Sequence, residues 1–232
     1  MFFCCVLLLS ACKDTSTPPA TPAVQATAAE PVTPIDEVPE PAQPPQPQII
    51  DSLPANREAR EAFLREYGRT RGSNRVRLTT PQGVIEIRLF DETPTYKGSF
   101  LWLTDQGYFD TTYFHRTVPN FVIQGGNSDN APTNKMRNAV HAYQLPPEYV
   151  PSLKHVAGMV SASKEWEGNP EHWHSPFEFF VVMGKHDYLN GEHTIFGKVT
   201  RGMNVVRAIN QLETDKTGWP WINVTIDAEV VE

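Results

Sequence analysis

Between Cys4 and Ala62 the chain has no aromatic residue, and ten prolines crowd the 38 residues from Lys13 to Ile50. A stretch without rings, rich in a residue that lacks a backbone donor, cannot bury enough apolar surface to offset the entropy of ordering it. The first quarter of the chain is thereby excluded from any core. From Phe63 onward the balance reverses, with all five Trp, all seven Tyr and ten of the twelve Phe. The folded part is therefore expected over 73–232, roughly 160 residues, which suits one domain rather than two. That part carries 14 basic against 18 acidic residues, within a net charge of −7 for the whole chain. An acidic body with no basic stripe excludes nucleic acid as a partner.

All three cysteines, Cys4, Cys5 and Cys12, lie in the first twelve residues, so no disulfide can staple the body. The apolar run that holds them is about ten residues long, half of what a bilayer span needs and the length of a signal-peptide core. It ends in Leu9-Ser10-Ala11-Cys12, which resembles the lipobox of bacterial lipoproteins. That resemblance implies a lipoprotein signal segment over 1–12, cleavage before Cys12 and lipidation of Cys12. Residues 13–50 then form a Pro-rich disordered tether, partly polyproline II, with a reach of up to roughly 120 Å at about 3.1 Å per residue. The implied location is the cell envelope, lipid-anchored on the periplasmic face or at the surface of the outer membrane.

Over 51–72 a short helix is expected. Ser52 serves as N-cap, Pro54 lies in the first turn, and Ala59, Ala62, Phe63 and Tyr67 form an apolar stripe ended by Gly68. Strands follow. Val76 and Leu78 alternate with Arg75 and Arg77, Thr80-Pro81-Gln82-Gly83 has type I turn chemistry, and Ile85, Ile87 and Leu89 alternate with Glu86 and Arg88. This is a hairpin. Thr93-Pro94 opens a helix through Tyr96, Phe100, Leu101 and Leu103 to Gly107, and Val205, Val206, Ile209 and Leu212 mark a second helix after Gly202. The run Ile222 to Val230 alternates over nine residues and reads as a half-buried strand. Strands dominate the body, with two helices, and closing the sheet into a barrel with helices over its open ends would bury both sets, so the fold class is mainly β.

The segment Tyr113-Phe114-His115-Arg116-Thr117-Val118-Pro119-Asn120-Phe121-Val122-Ile123-Gln124-Gly125-Gly126 resembles the signature of cyclophilin-type peptidyl-prolyl cis-trans isomerases. The likeness continues in order through Gly83–Phe90, Thr93-Pro94, Lys154–Ser161, Phe177–Val181 and Leu189–Val199. It implies the cyclophilin-like fold, a closed eight-stranded antiparallel barrel capped by two helices, and peptidyl-prolyl isomerase (rotamase) activity on proline-containing polypeptides, here in the folding of exported proteins. It also implies roles. Arg116 is the catalytic guanidinium and Gln124 orients it. Phe121, Val122, Phe180, Leu189 and His193 form the apolar cup for the proline ring, with Glu178 and Tyr188 also binding substrate.

Four positions depart from the family pattern: Lys164 where Asn is usual, Glu178 for Gln, Val122 for Met and Tyr188 for Trp or Phe. If Glu178 shares the pocket with Arg116, the two are expected to pair. The stretch 165–176, with Trp166, His172, Trp173 and His174, is longer than the family's and implies an extra wall beside the proline site. The rival function is a catalytically weak cyclophilin-like chaperone, or a module that binds proline peptides without turning them over. Glu171, His172, His174 and His186 offer N and O ligands, but two histidines at i and i+2 match no zinc spacing, and no metal is expected. Neither a P-loop nor a dinucleotide fingerprint nor a nucleophile elbow occurs, so no cofactor is expected. A monomer is expected.

Overall fold

The computed structural model describes residues 53–140 and 142–232. Cys12, Ser52 and the residues expected to form a signal segment and tether lie outside the described residues. The first helix, α1 (Arg57–Thr70), is capped by Asn56, whose side chain accepts from the Ala59 N–H at 3.0 Å. Gly68 does not end it. The helix runs on to Thr70, and Gly72, at φ +78°, provides the left-handed residue after its last turn. Gly68 instead lies against Gly98 of α2 (Pro94–Asp105), where an added Cβ at Gly98 would stand 1.7 Å from the Leu64 carbonyl oxygen. Without side chains at this crossing the two backbones approach closely. Arg71 locks the far end with two bonds to Asp105, Nε to Oδ2 at 2.7 Å and Nη2 to Oδ1 at 3.0 Å.

The expected hairpin forms as β1 (Arg75–Thr80) and β2 (Gly83–Leu89), paired from Arg75 with Arg88 to Thr80 with Gly83. Val76, Leu78, Ile85, Ile87 and Leu89 point into the core. The remaining strands are β3 (Tyr113–Val118), β4 (Val122–Asn127), β5 (Met159–Ala162), β6 (Phe179–Val182), β7 (Ile195–Arg201) and β8 (Asp227–Val231). They make one antiparallel sheet in the order β3-β4-β6-β5-β7-β2-β1-β8.

This corrects the expected closed barrel. The sheet is an open, curled half-barrel whose end strands, β3 and β8, share no ladder. They meet near a single bridge, Tyr113 with Thr225, flanked by Phe114 N–H to Val224 O at 2.9 Å and Ile226 N–H to Thr112 O at 3.1 Å. The reason lies in the loop before β8. It turns back on itself at the Thr214–Pro220 bridge, and its Gly218 carbonyl accepts from the Thr117 N–H, covering the edge of β3 that a strand would have paired. Only Asp227 onward is strand, although Val224, Ile226 and Ala228 keep the inward phase predicted for the whole run.

Among the described residues four helices accompany the sheet, the three expected and one more. Helix α2 lies between the sheet and α1, which accounts for its burial on nearly every side. Helix α4 (Met203–Asn210) packs on β2, β3 and β4, and α3 (Ala131–Ala139) follows β4. Short 3-10 turns at Phe109–Thr111 and Asp187–Leu189 complete the body.

Candidate active site

On β4 and β6 the side chains alternate between two apolar clusters. Ile123, Phe179 and Val181 enter the main core, whereas Val122, Phe180 and Val182 join Leu189 in a smaller cluster on the other face of the sheet, with Phe121, Val118 and Met159 packed against it. That second cluster floors a cleft of about 460 Å³. Arg116, Phe121, Val122, Gln124, Glu178, Phe180, Tyr188, Leu189 and His193 all line it, so every site residue expected in the body converges there. Ser163, Lys164, Glu165 and Trp166 complete the lining.

Cross-strand register brings the polar pair together. Arg116 is opposite Gln124, and Gln124 is opposite Phe180. Strict alternation would send Arg116 to the same face as the fully buried Phe114. A bulge between Phe114 and Arg116 shifts the register, so Phe114 pairs with Gly125 in the core while Arg116 faces the cleft. The Arg116 guanidinium donates from Nη1 to Gln124 Oε1 at 3.4 Å. Gln124 Nε2 donates in turn to Ser163 Oγ at 3.1 Å and Glu178 Oε2 at 2.9 Å.

The expected pairing of Glu178 with Arg116 is corrected here. The carboxylate turns the other way, to Arg137 on α3 at 3.6 Å and His115 Nε2 at 3.6 Å, and reaches Arg116 only through Gln124. Burial works to raise the Glu178 carboxyl, but hydrogen bonding and charge from His115, with Gln124 and Arg137, outweigh it and hold the group below its ordinary value.

His193 stands edge-on to Phe180, 5.1 Å between centroids, and its Nδ1 lies 2.9 Å from the Ala162 carbonyl. A carbonyl only accepts, so Nδ1 carries the proton. Desolvation lowers its pKa to about 4, which leaves the ring neutral and suited to an apolar wall. His174, His172 and His186 do not converge. His174 is buried against the Tyr96 hydroxyl, His172 meets Lys164, and His186 packs on Phe121. Among the described residues no group of three or more His, Cys, Asp or Glu is arranged to hold a metal.

Sequence reasoning missed Asn210. Fully buried on α4, it accepts the Asn120 N–H at 2.9 Å and donates to the carbonyls of Val118 and Val122, holding the β3–β4 turn that carries Phe121. Asn120 sits there at φ +60°, a conformation Asn tolerates. No periodicity marks Asn210, because its partner is 90 residues away in the chain. Arg137 was missed for the same reason.

Residues 75–230 match the family model for cyclophilin-type peptidyl-prolyl cis-trans isomerases. Peptidyl-prolyl cis-trans isomerase-like 1 of Neurospora crassa is 33% identical over 156 residues, covering 65% of this chain and 90% of that protein. The protein of the same name from Gibberella zeae is 32% identical over 161 residues, covering 67% and 93%. Among solved structures, a Cryptosporidium parvum cyclophilin-type peptidyl-prolyl cis-trans isomerase crystallised in the presence of the dipeptide Ala-Pro superposes with a TM-score of 0.59 at 28% identity, covering 68% of this chain and 99% of that one. With its matched span exceeding half its length, this chain belongs to the cyclophilin-type peptidyl-prolyl cis-trans isomerase family.

Proposed function

We propose that this isomerase seats a substrate proline in the cup of Phe121, Val122, Phe180, Leu189 and His193, and uses Arg116 to favour the twisted amide. The barrier to X–Pro rotation, about 18–20 kcal/mol for a peptide bond, arises from partial double-bond character. No covalent bond has to form. A catalyst has only to bind the twisted amide, whose nitrogen regains a lone pair, better than either planar form. A guanidinium is always charged and donates in a fixed fork, and Gln124 Oε1 leaves part of that fork free. Burying one pyrrolidine is worth about 2 kcal/mol, enough to position the ring without holding it tightly. The observation that carries the reading is the juxtaposition of the Arg116–Gln124 pair with an apolar cup set apart from the core.

The test is exchange NMR or a protease-coupled assay on short X–Pro peptides. Arg116→Ala is expected to lower kcat/KM at least tenfold, about 1.4 kcal/mol of the barrier, with little change in stability. Arg116→Lys should recover only part of it, because an ammonium lacks the fork. A fully active Arg116→Ala protein would remove Arg116 from the mechanism. A wild type that binds the peptides but leaves exchange at the uncatalysed rate would make the chain a proline-binding chaperone instead.

The setting completes the proposal. The lipobox-like Leu9-Ser10-Ala11-Cys12 and the Pro-rich residues 13–50 support a monomeric, lipid-anchored isomerase of the cell envelope that serves exported polypeptides.

A further inference from the structure

Beside the cup stands an indole that nothing in the proposed mechanism uses. Trp166 is 65% exposed at the mouth of the cleft, and its edge meets the His193 ring at 5.7 Å. Ordinarily so large an apolar side chain at the surface would be free to turn. Here the Lys164 ammonium lies 4.5 Å from the ring centroid. Lys164 itself is fixed. Its side chain is 1% exposed, and Nζ donates to Glu192 Oε2 and His172 Nδ1, both at 2.8 Å.

The loop that carries these groups is closed on Asn169. The Asn169 amide donates to the carbonyls of Glu165 and Trp173 and accepts the Trp173 N–H. His172 is held at φ +57°, a conformation few side chains adopt, and its ring meets Lys164. From outside, Arg57 of α1 covers the Trp173 ring at 5.3 Å. The wall is thus built in advance of any substrate.

We propose that Trp166 is a specificity-determining residue that stacks on an aromatic side chain next to the substrate proline. The inference rests on the reading of the cup as the proline site. The chemistry follows from what the wall presents. Lys164 is paired with Glu192 and enclosed, so at this point of the wall the substrate meets the indole ring rather than the Lys164 ammonium. His193 joins the indole to the proline cup, so a side chain reaching Trp166 comes from a residue adjacent to the proline. An aromatic pair of ordinary strength corresponds to roughly a two- to tenfold preference over alanine.

The experiment titrates the full-length protein with short peptides bearing Ala, Phe or Glu on either side of a proline. It follows the Trp166 indole N–H resonance, identified by its absence in Trp166→Leu, and measures Kd and kcat/KM. A Phe neighbour on one side should shift that resonance and bind at least about twofold more tightly than Ala, and Trp166→Leu should bring the ratio close to one. Equal binding of Phe and Ala peptides, or a preference that survives Trp166→Leu, overturns the assignment. So does a preference for Glu, which would mean that Lys164 is read as a charge. If the Ala-flanked proline peptide is neither bound nor isomerised by the wild type, the proline-site reading fails and this inference fails with it. If that peptide is turned over and no aromatic preference exists, only this inference fails.

Discussion

A carboxylate only accepts hydrogen bonds, so Gln124 has to present Nε2 to Glu178, and its Oε1 is thereby left for Arg116. A neutral amide at position 178 would accept either orientation of Gln124. One charge, placed behind the amide and not beside the guanidinium, thus fixes the direction of the Arg116–Gln124 pair. The buried histidines act at the same scale through stability. Desolvation, with repulsion from His193, lowers His174 from 6.5 to about 3, and His193 lies at about 4. Both are neutral in the fold, whereas in the unfolded chain they protonate as pH falls below 6.5. The unfolded state then binds more protons, so stability present at neutral pH is lost on acidification from about 6.5 down to about 4 for His193 and about 3 for His174. At pH 5.5 the loss is on the order of 1 kcal/mol for each histidine by linkage, partly offset where Asp110 and Glu148, whose carboxyls burial raises, begin to titrate. Urea midpoints measured at pH 7.5 and 5.5 should differ accordingly, and coincident midpoints would show that these rings are not buried neutral.

Helix α1 shows how an element outside the sheet serves the site. Its glycine crossing with α2 brings it onto the body, and from there Arg57 reaches Trp173 in the loop that bears Trp166. Gly98→Ala would drive a methyl into the Leu64 carbonyl, and overpacking of this kind costs about 1–3 kcal/mol or more. Hydrogen exchange is expected to quicken through Arg57–Thr70 while the β1–β2 hairpin stays protected. Unchanged protection of α1 would mean that the backbones part without cost. The elements also differ in how legible they were. The hairpin was readable because turn chemistry and alternation agree within 15 residues. Gly68 was misread because a glycine that ends a helix and one that lets another helix approach look alike in one dimension. Helix α3 was overlooked although it had a signal, Asn130 as N-cap followed by Pro132 in the first turn.

For the whole molecule the proposed anchor lies in a segment unlike the body in every compositional respect. Lipid on Cys12 would hold the protein firmly, since the several acyl chains of a bacterial lipoprotein bind far more strongly than the marginal single chain. Cys12→Ala should leave the protein unlipidated and move it from the membrane pellet to the soluble fraction. A variant that still pellets like the wild type after a carbonate wash would refute the lipobox reading. The body is self-sufficient by comparison. Its curled sheet, with the β3 edge covered by the loop before β8, encloses the core on one face and floors the cleft on the other.

Local pattern alone determined that the body is mainly β and where the first hairpin and two helices lie, and the ordered motifs of the family resemblance named residues that line the cleft. Each of these depends on neighbours within a few positions or on an ordered run of motifs, and both survive in one dimension. Three matters were left to the tertiary structure. Whether the sheet closes depended on the path of the loop at 213–221 across the edge of β3, a contact between residues about 100 apart. The direction of Glu178 depended on Arg137 and His115, which α3 and β3 bring in from elsewhere. Arg116 faces the cleft because one residue bulges from the ladder, and alternation read from the sequence would have buried it beside Phe114. A single extra residue in a strand reverses the face of everything after it, and only the partner strand's register reveals that it is there.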